Sequence, residues 1–342
     1  MVNSSLNSEH IHGLRQEVIR ELSPLVQGRC ALLDLPNYPN VGDHLIWEGT
    51  ECFLERNTGS QLDYASASVF FDRSRVERVD RILLQGGGNF GDLYPKHMRF
   101  REAVVTRFMD HPIVLLPQTA FYRDPDNLQR TITAFSRHPR LTLCARDHVT
   151  LKFMQTHFPE NTIRLVPDMA FCLDRFSETH QHRTPQEILF MLREDGEQPL
   201  DTLVSACPDA DVFDWPTMQS SRWHDISATL RQGAERCVHA GLALAHALPG
   251  EHAWDYRYHY MRQHQPWIEE GINMVKRYDL VVTNRLHGHV LAILLGVPSI
   301  LLDNSYGKNC WFHDAWLKDC PGSRFAGSAA ELQLQIQQWL SA

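Results

Sequence analysis

Short apolar runs alternate with helically spaced stretches through the first half of the chain. Leu14, Val18, Leu22 and Leu25 recur at helical intervals and predict a helix over Leu14 to Val26. Cys30 to Leu35 is largely apolar and stops at Pro36, which predicts a buried strand. A loop from Pro36 to Gly42 leads into a helix beginning near Asp43 and running toward Arg56. A second strand, Arg81 to Gln85, ends at Gly86-Gly87-Gly88, and a helix follows over Arg99 to Met109. Ile113 to Leu116 predicts a strand stopped by Pro117. Then come a helix (Leu128 to Arg137), a strand (Leu141 to Ala145), a helix (His148 to His157) and a strand (Ile163 to Val166). These strands lack polar alternation, so both faces must be covered. That pattern predicts a parallel sheet between two layers of helices.

The polar stretch Asp174 to Gln186 has no periodicity and marks a domain boundary. Beyond it the pattern restarts with a strand at Ile188 to Leu192. A regular unit follows: helix Trp267 to Arg277, strand Leu280 to Thr283, helix Leu286 to Leu295, strand Ser299 to Leu302. Gly296 stops that last helix and Pro298 punctuates the turn. Ser328-Ala329-Ala330-Glu331 is a capping box opening a final helix to Trp339. The expected fold is α/β, with two Rossmann-like domains carrying parallel sheets. The expected parts are residues 1–180, residues 187–327 and a C-terminal helix over 328–342.

The 342 residues exceed the usual size of one hydrophobic core, in keeping with two domains. A formal net charge of −8 argues against nucleic acid as a partner, since such binders carry surplus Lys and Arg. The eight cysteines include no C-x-x-C pair, and several sit in apolar runs, as reduced, buried thiols do. Residues 1–12 are polar and lack the apolar core of a signal peptide. Gly296-Val297-Pro298 breaks the longest apolar run, Val290 to Leu302, which is too short to span a bilayer. A cytoplasmic location is expected, with any membrane contact peripheral.

Ligands of open parallel sheets bind beyond the carboxyl ends of the strands, so the strand-to-helix junctions carry the candidate chemistry. Gly86-Gly87-Gly88-Asn89-Phe90-Gly91-Asp92 matches G-x-G-x-x-G. The next strand ends in Leu116-Pro117-Gln118, without the acid that a dinucleotide ribose needs. The segment therefore reads as a loop giving a ligand close access to the backbone. In Asn284-Arg285-Leu286-His287, Asn284 is an expected N-cap, and the helix start favours an anion. Arg285 offers a donor fork for phosphate or carboxylate, and His287 a proton-transfer group. Both would equally satisfy carbonyls at a domain surface. His287 and His289 have no third ligand at metal-site spacing, so no metal site is assigned. Arg146 could add a second positive charge, or Asp147 caps the helix and Arg146 pairs with it. Lys308, on the loop Asp303 to Asn309, could reach a phosphate or belong to an ordinary turn. The aromatic stretches Asp211 to Trp223 and Trp254 to Trp267 suit interdomain packing more often than sugar stacking.

Taken in order, these segments resemble the polysaccharide pyruvyl transferase family. The resemblance rests on Asn40-Val41-Gly42-Asp43, Gly86 to Phe90, Ala145-Arg146-Asp147, Val166-Pro167-Asp168, Arg285-Leu286-His287-Gly288 and Gly296-Val297-Pro298. The Asp303 to Asn309 loop is similar to that of the exopolysaccharide branch. The resemblance implies a glycosyltransferase-B-like pair of domains with a cleft between them and phosphoenolpyruvate as donor. On that footing Arg285 and His287 bind donor, with Arg146, Lys308, Asn284, Gly87, Gly88 and Asn89 assisting. His287 is the expected acid, and Asp43 or Asp92 the expected base. The implied reaction joins a pyruvyl group to two hydroxyls of one sugar as a ketal. It requires no cofactor, with divalent metal left open. The expected acceptor is a sugar or lipid-linked oligosaccharide, met at the inner face of the membrane or beside polysaccharide assembly proteins. Residues 199–265 carry no alignable motif, so the acceptor site is unassigned. Two other readings fit the same fold: a nucleotide-sugar glycosyltransferase and a non-catalytic carbohydrate-binding scaffold.

Overall fold

The computed structural model describes residues 4–57, 59–173, 176, 187–193, 210–216, 265–304 and 307–341. The domain boundary at 174–186 and most of both aromatic stretches therefore lie outside the described residues, apart from 176, 211–216 and 265–267.

The first sheet contains β1 (Gly28–Leu33), β2 (Ser60–Ser66), β3 (Arg81–Leu84), β4 (Gly87–Gly91), β5 (Ile113–Phe121), β6 (Leu141–Ala145) and β7 (Thr162–Leu165). Its order is β2-β1-β3-β5-β6-β7, with β4 added along the far half of β5, and every pairing is parallel. The second sheet runs β12-β11-β10-β8-β9, again parallel throughout. Its strands are β8 (Ile188–Met191), β9 (Asp211–Phe213), β10 (Leu280–Thr283), β11 (Ser299–Leu302) and β12 (Ser323–Ala326). The helices are α1 (Ser4–Leu22), α2 (Val41–Arg56), α3 (Arg73–Val76), α4 (Pro95–Arg107), α5 (Pro125–Phe135), α6 (His148–His157), α7 (Gln265–Val275), α8 (Leu286–Leu294), α9 (Lys308–Trp316) and α10 (Ala329–Leu340). The α/β class and the parallel sheets expected from the sequence are thus present.

Successive residues of the central strands are buried on opposite faces. Cys30 and Leu32 pack with Val18 and Leu22 of α1 and Trp47 of α2. Ala31 and Leu33 pack against Met98 and Val105 of α4 and Met154 of α6. Leu332 and Ile336 of α10 join Phe190, Val282 and Ile300, so the last helix covers one face of the second sheet. The other face holds the core that joins the halves. There Val41 and Leu45 of α2, Ile11 and Leu14 of α1, and Phe171 meet Trp215, Val281, Val290 and Leu291.

Two sequence expectations change here. Gly87–Gly91 is a strand, not a loop. A Cβ on Gly91 would sit 1.7 Å from the Phe121 carbonyl oxygen, so only glycine allows β4 to approach β5 so closely. The strand predicted to stop at Pro117 continues to Phe121. Its register against β6 shifts between Leu115 and Gln118, and Pro117 occupies that irregularity, where no ladder hydrogen bond is required.

Candidate active site

Both sheets reverse strand order next to the same space. From β1 the chain goes outward to β2 and returns to β3 on the other side of β1; from β8 it goes to β9 and returns to β10. Such switch points open crevices at the strand ends. A cavity of about 410 Å³ joins them, lined from one domain by Tyr38, Asp43, Gly88, Asn89 and Arg146, and from the other by Arg193, Asn284, Arg285, His287 and Lys308. That volume suits a small-molecule site.

The link between the halves is Asp168, fully buried at the start of the 3-10 turn Met169–Cys172. Its Oδ1 accepts from the Ala170 amide at 3.0 Å, and its Oδ2 accepts from Arg146 Nη1 at 2.6 Å. His287 Nε2 lies 3.3 Å from the same Oδ2. Burial by itself raises the pKa of Asp168. His287, then Arg146 and the Ala170 amide, outweigh it and hold the carboxyl well below the usual carboxylate range. A carboxylate only accepts, so Nε2 of His287 carries the proton of that bond and Nδ1 is left for chemistry.

Arg146 is buried at the end of β6. Its Nε donates to Thr119 Oγ1 at 2.9 Å, and its guanidinium lies over the Phe312 ring of α9. Trp316 Nε1 donates to the Arg146 carbonyl at 2.7 Å, a second tie between the domains. The sequence alternative, a pair with Asp147, is not formed. The cap expected with it is present: Asp147 caps α6 through the Thr150 amide and accepts from Thr119 and Thr150 hydroxyls. Arg146 Nη2 makes no hydrogen bond to a described residue. It would lie 3.1 Å from a Cβ at Gly88, so the glycine keeps this donor open to the cavity.

Arg285 precedes α8 and gives Nε and Nη2 to the carboxylate of Asp214, a buried pair. Its Nη1 has no described partner. No side chain caps α8, and the expected N-cap role of Asn284 is corrected. Arg285 is the cap residue, while Asn284 Oδ1 accepts from the Arg193 amide at 2.9 Å. The cause is a competing long-range donor that reaches the amide first. The first turn of α8 therefore presents uncapped amides to the cavity, a setting that favours an anion. His289 lies apart from His287, buried between the hydroxyls of Ser299 and Ser323, and burial pushes its pKa far below the ordinary value. Among the described residues no group of three or more His, Cys, Asp and Glu side chains is arranged to hold a metal.

Of the other expected residues, Asp43 lines the cavity, where its Oδ2 accepts from Tyr38 Oη at 2.9 Å and Asn40 Nδ2 at 2.8 Å. Asn89 turns its Oδ1 to Arg101 Nη2. Gly87 adopts a positive φ of 131° in β4 and is not part of the cavity wall. Asp92 is a correction: it lies outside the cavity, and its carboxylate accepts from the amides of Arg123 and Asp124. It thus orders the turn before α5. Sequence reasoning did not select Asp34, His97, Asp214 or Trp215. For Asp34 the available signal was its position at the carboxyl end of β1. His97 and Arg101 share a face of α4 by their four-residue spacing.

Comparison with known proteins identifies the family. The profile of the polysaccharide pyruvyl transferase family matches residues 40–306. A Bacillus subtilis protein named for pyruvyl transfer, EpsO, is 33% identical, with 89% of this chain and 90% of that protein covered. Pyruvyl transferase 1 of Schizosaccharomyces pombe is 28% identical over 85% of this chain and 70% of its own length. A functionally uncharacterised Klebsiella pneumoniae protein of known structure superposes with a TM-score of 0.60 at 19% identity, over 92% of this chain and 98% of that one. That likeness concerns the fold alone.

Proposed function

The chain belongs to the polysaccharide pyruvyl transferase family, and from that premise we propose that it moves the pyruvyl group of phosphoenolpyruvate onto two hydroxyls of one sugar during exopolysaccharide synthesis. The observation that carries the reading is the Arg146–Asp168–His287 chain across the domain cleft, beside the open amides of α8. Phosphoenolpyruvate bears a phosphate and a carboxylate. Arg146 Nη2, Arg285 Nη1, Lys308 and the α8 amides suit both groups. His287, oriented by Asp168, gives a proton to C3 as the first sugar oxygen adds to C2. Phosphate then leaves, and the second hydroxyl closes the ketal. The acceptor is a sugar or a lipid-linked oligosaccharide. The balance of this reaction calls for no redox partner.

Thermal unfolding with phosphoenolpyruvate and, separately, with nucleoside mono- and diphosphates tests the reading. A ligand that binds only the folded chain raises the midpoint with concentration. A rise with phosphoenolpyruvate alone supports it; a rise with a nucleotide alone favours a glycosyltransferase and overturns it.

Two variants sharpen the site. Arg285→Ala is expected to remove the phosphoenolpyruvate-dependent rise. It also strands the buried Asp214 at a cost of about 3–5 kcal/mol, so the double variant with Asp214→Asn keeps the measurement readable. Undiminished affinity in the double variant would remove Arg285 from the donor site. His287→Ala is expected to retain donor binding and lose turnover by ~10²-fold or more. Near-normal turnover would exclude His287 from proton transfer.

A further inference from the structure

A second Asp–His–Arg group borders the same cavity. Asp34 follows β1 with a φ of 67°, a left-handed conformation uncommon for a residue with a Cβ. That turn aims its carboxylate at α4. Oδ2 accepts from Arg101 Nε at 2.8 Å, and Oδ1 lies 2.8 Å from His97 Nδ1. Both Asp34 and Arg101 have fully buried side chains, so the guanidinium is matched by the carboxylate. The carboxylate fixes the proton of His97 on Nδ1. Nε2 has no described partner, and His97 lines the cavity. Asp34, like Asp168, thus joins one Arg and one His, here through separate oxygens and the Nδ1 of the ring.

The cavity wall holds both cations and uncharged polar groups. Arg285 precedes α8, Lys308 opens α9, and Arg146 Nη2 lies beside Gly88 of β4. Around His97 the wall holds Asp43, Tyr38, Asn89 and the half-exposed Tyr94. A neutral, polyhydroxylated ligand suits that wall, with aromatic faces for the ring and polar atoms for its hydroxyls. Asn89 already commits its oxygen to Arg101, which leaves its amide hydrogens for a sugar oxygen.

We infer that the wall around His97 binds the acceptor as a pyranose diol, and that His97, positioned by Asp34, takes the proton of the attacking hydroxyl. The inference rests on the pyruvyl-transfer reading. Its proton count is the supporting chemistry. The diol loses two protons; one ends on C3 of the pyruvyl group and the other on the released phosphate. In the first addition His97 accepts the hydroxyl proton while His287 protonates C3, and the new bond is sugar oxygen to C2. In the second, the C2–O bond to phosphate breaks and the second hydroxyl bonds to C2. His287 then takes that hydroxyl's proton, and His97 gives its own to water, which carries it to the released phosphate. Both histidines end in their starting states.

The test uses the full chain, labelled phosphoenolpyruvate and the acceptor pool extracted from producing cells that lack this gene. His97→Gln is expected to keep the unfolding midpoint and its rise with phosphoenolpyruvate, yet lose ~10²-fold in label transfer. Tyr94→Ala, a change at an exposed residue, is expected to raise the acceptor needed for half-maximal rate while leaving the donor requirement unchanged. Wild-type transfer by His97→Gln would overturn the inference alone. Loss of the phosphoenolpyruvate rise in that variant would move His97 to the donor side and also overturn it. A wild-type chain with neither a rise nor transfer would overturn the pyruvyl-transfer reading itself. A rise without transfer to the extracted pool would overturn the carbohydrate acceptor.

Discussion

Asp168→Asn is expected to lower turnover by ~10³–10⁴-fold while phosphoenolpyruvate still binds. An amide keeps the shape but can turn its NH₂ toward His287, which selects the wrong tautomer; in other Asp–His systems this exchange costs about 10⁴. The same change leaves the buried Arg146 without its counter-charge, worth about 3–5 kcal/mol. The sign of its pH dependence follows from the depressed pKa of Asp168. The carboxylate contributes stability in full above the unfolded value near 4 and loses it as pH falls toward the folded value. The stability gap between wild type and variant should therefore narrow below about pH 4. Denaturant unfolding across pH, alongside single-turnover rates, checks both parts. A variant with unchanged turnover would show that His287 does not depend on Asp168.

Gly42→Ala should be nearly as damaging, though it removes no functional group. Gly42 sits in the first turn of α2, and a Cβ there would lie 2.8 Å from His287 Cβ and 3.0 Å from Nδ1. The near atoms belong to the base of the His287 side chain, which cannot swing away like a side-chain tip. Either α2 retreats from α8 or the imidazole leaves Asp168. A displacement of about 1 Å at a reacting group costs on the order of 10² in rate. The expected result is a ~10²-fold fall in turnover, with stability lowered by roughly 1–3 kcal/mol from overpacking. Restored activity in Gly42→Ser would contradict the steric argument, since serine adds the same Cβ.

The elements that were legible in the sequence are those with strong local signals. Cys30–Leu33, Leu141–Ala145 and Leu280–Thr283 are short, apolar and bounded by breakers, and each is a central strand. The Ser328 cap was readable because its hydroxyl accepts from the Glu331 amide three residues away. That Arg285 and His287 line the cavity was readable because crevices of open parallel sheets lie where a strand end meets a helix start. Gly87–Gly91 was not, because a glycine-rich strand carries little side-chain pattern; its extended form comes from pairing with β5.

The sequence by itself determined the α/β layering, the parallel sheets and the strand-to-helix junctions that line the cavity. Each of those follows from local periodicity, which encodes the face a residue buries. The tertiary structure alone decided which charges meet. Asp168 finds His287 across 119 positions, Arg285 finds Asp214 across 71, and Arg101 finds Asp34 across 67. It likewise drew Asp92 away to a turn and gave Asn284 to the Arg193 amide. No periodicity records such partners. A buried charge takes whichever counter-charge the docking of the two sheets brings within reach, because leaving it unpaired costs several kcal/mol.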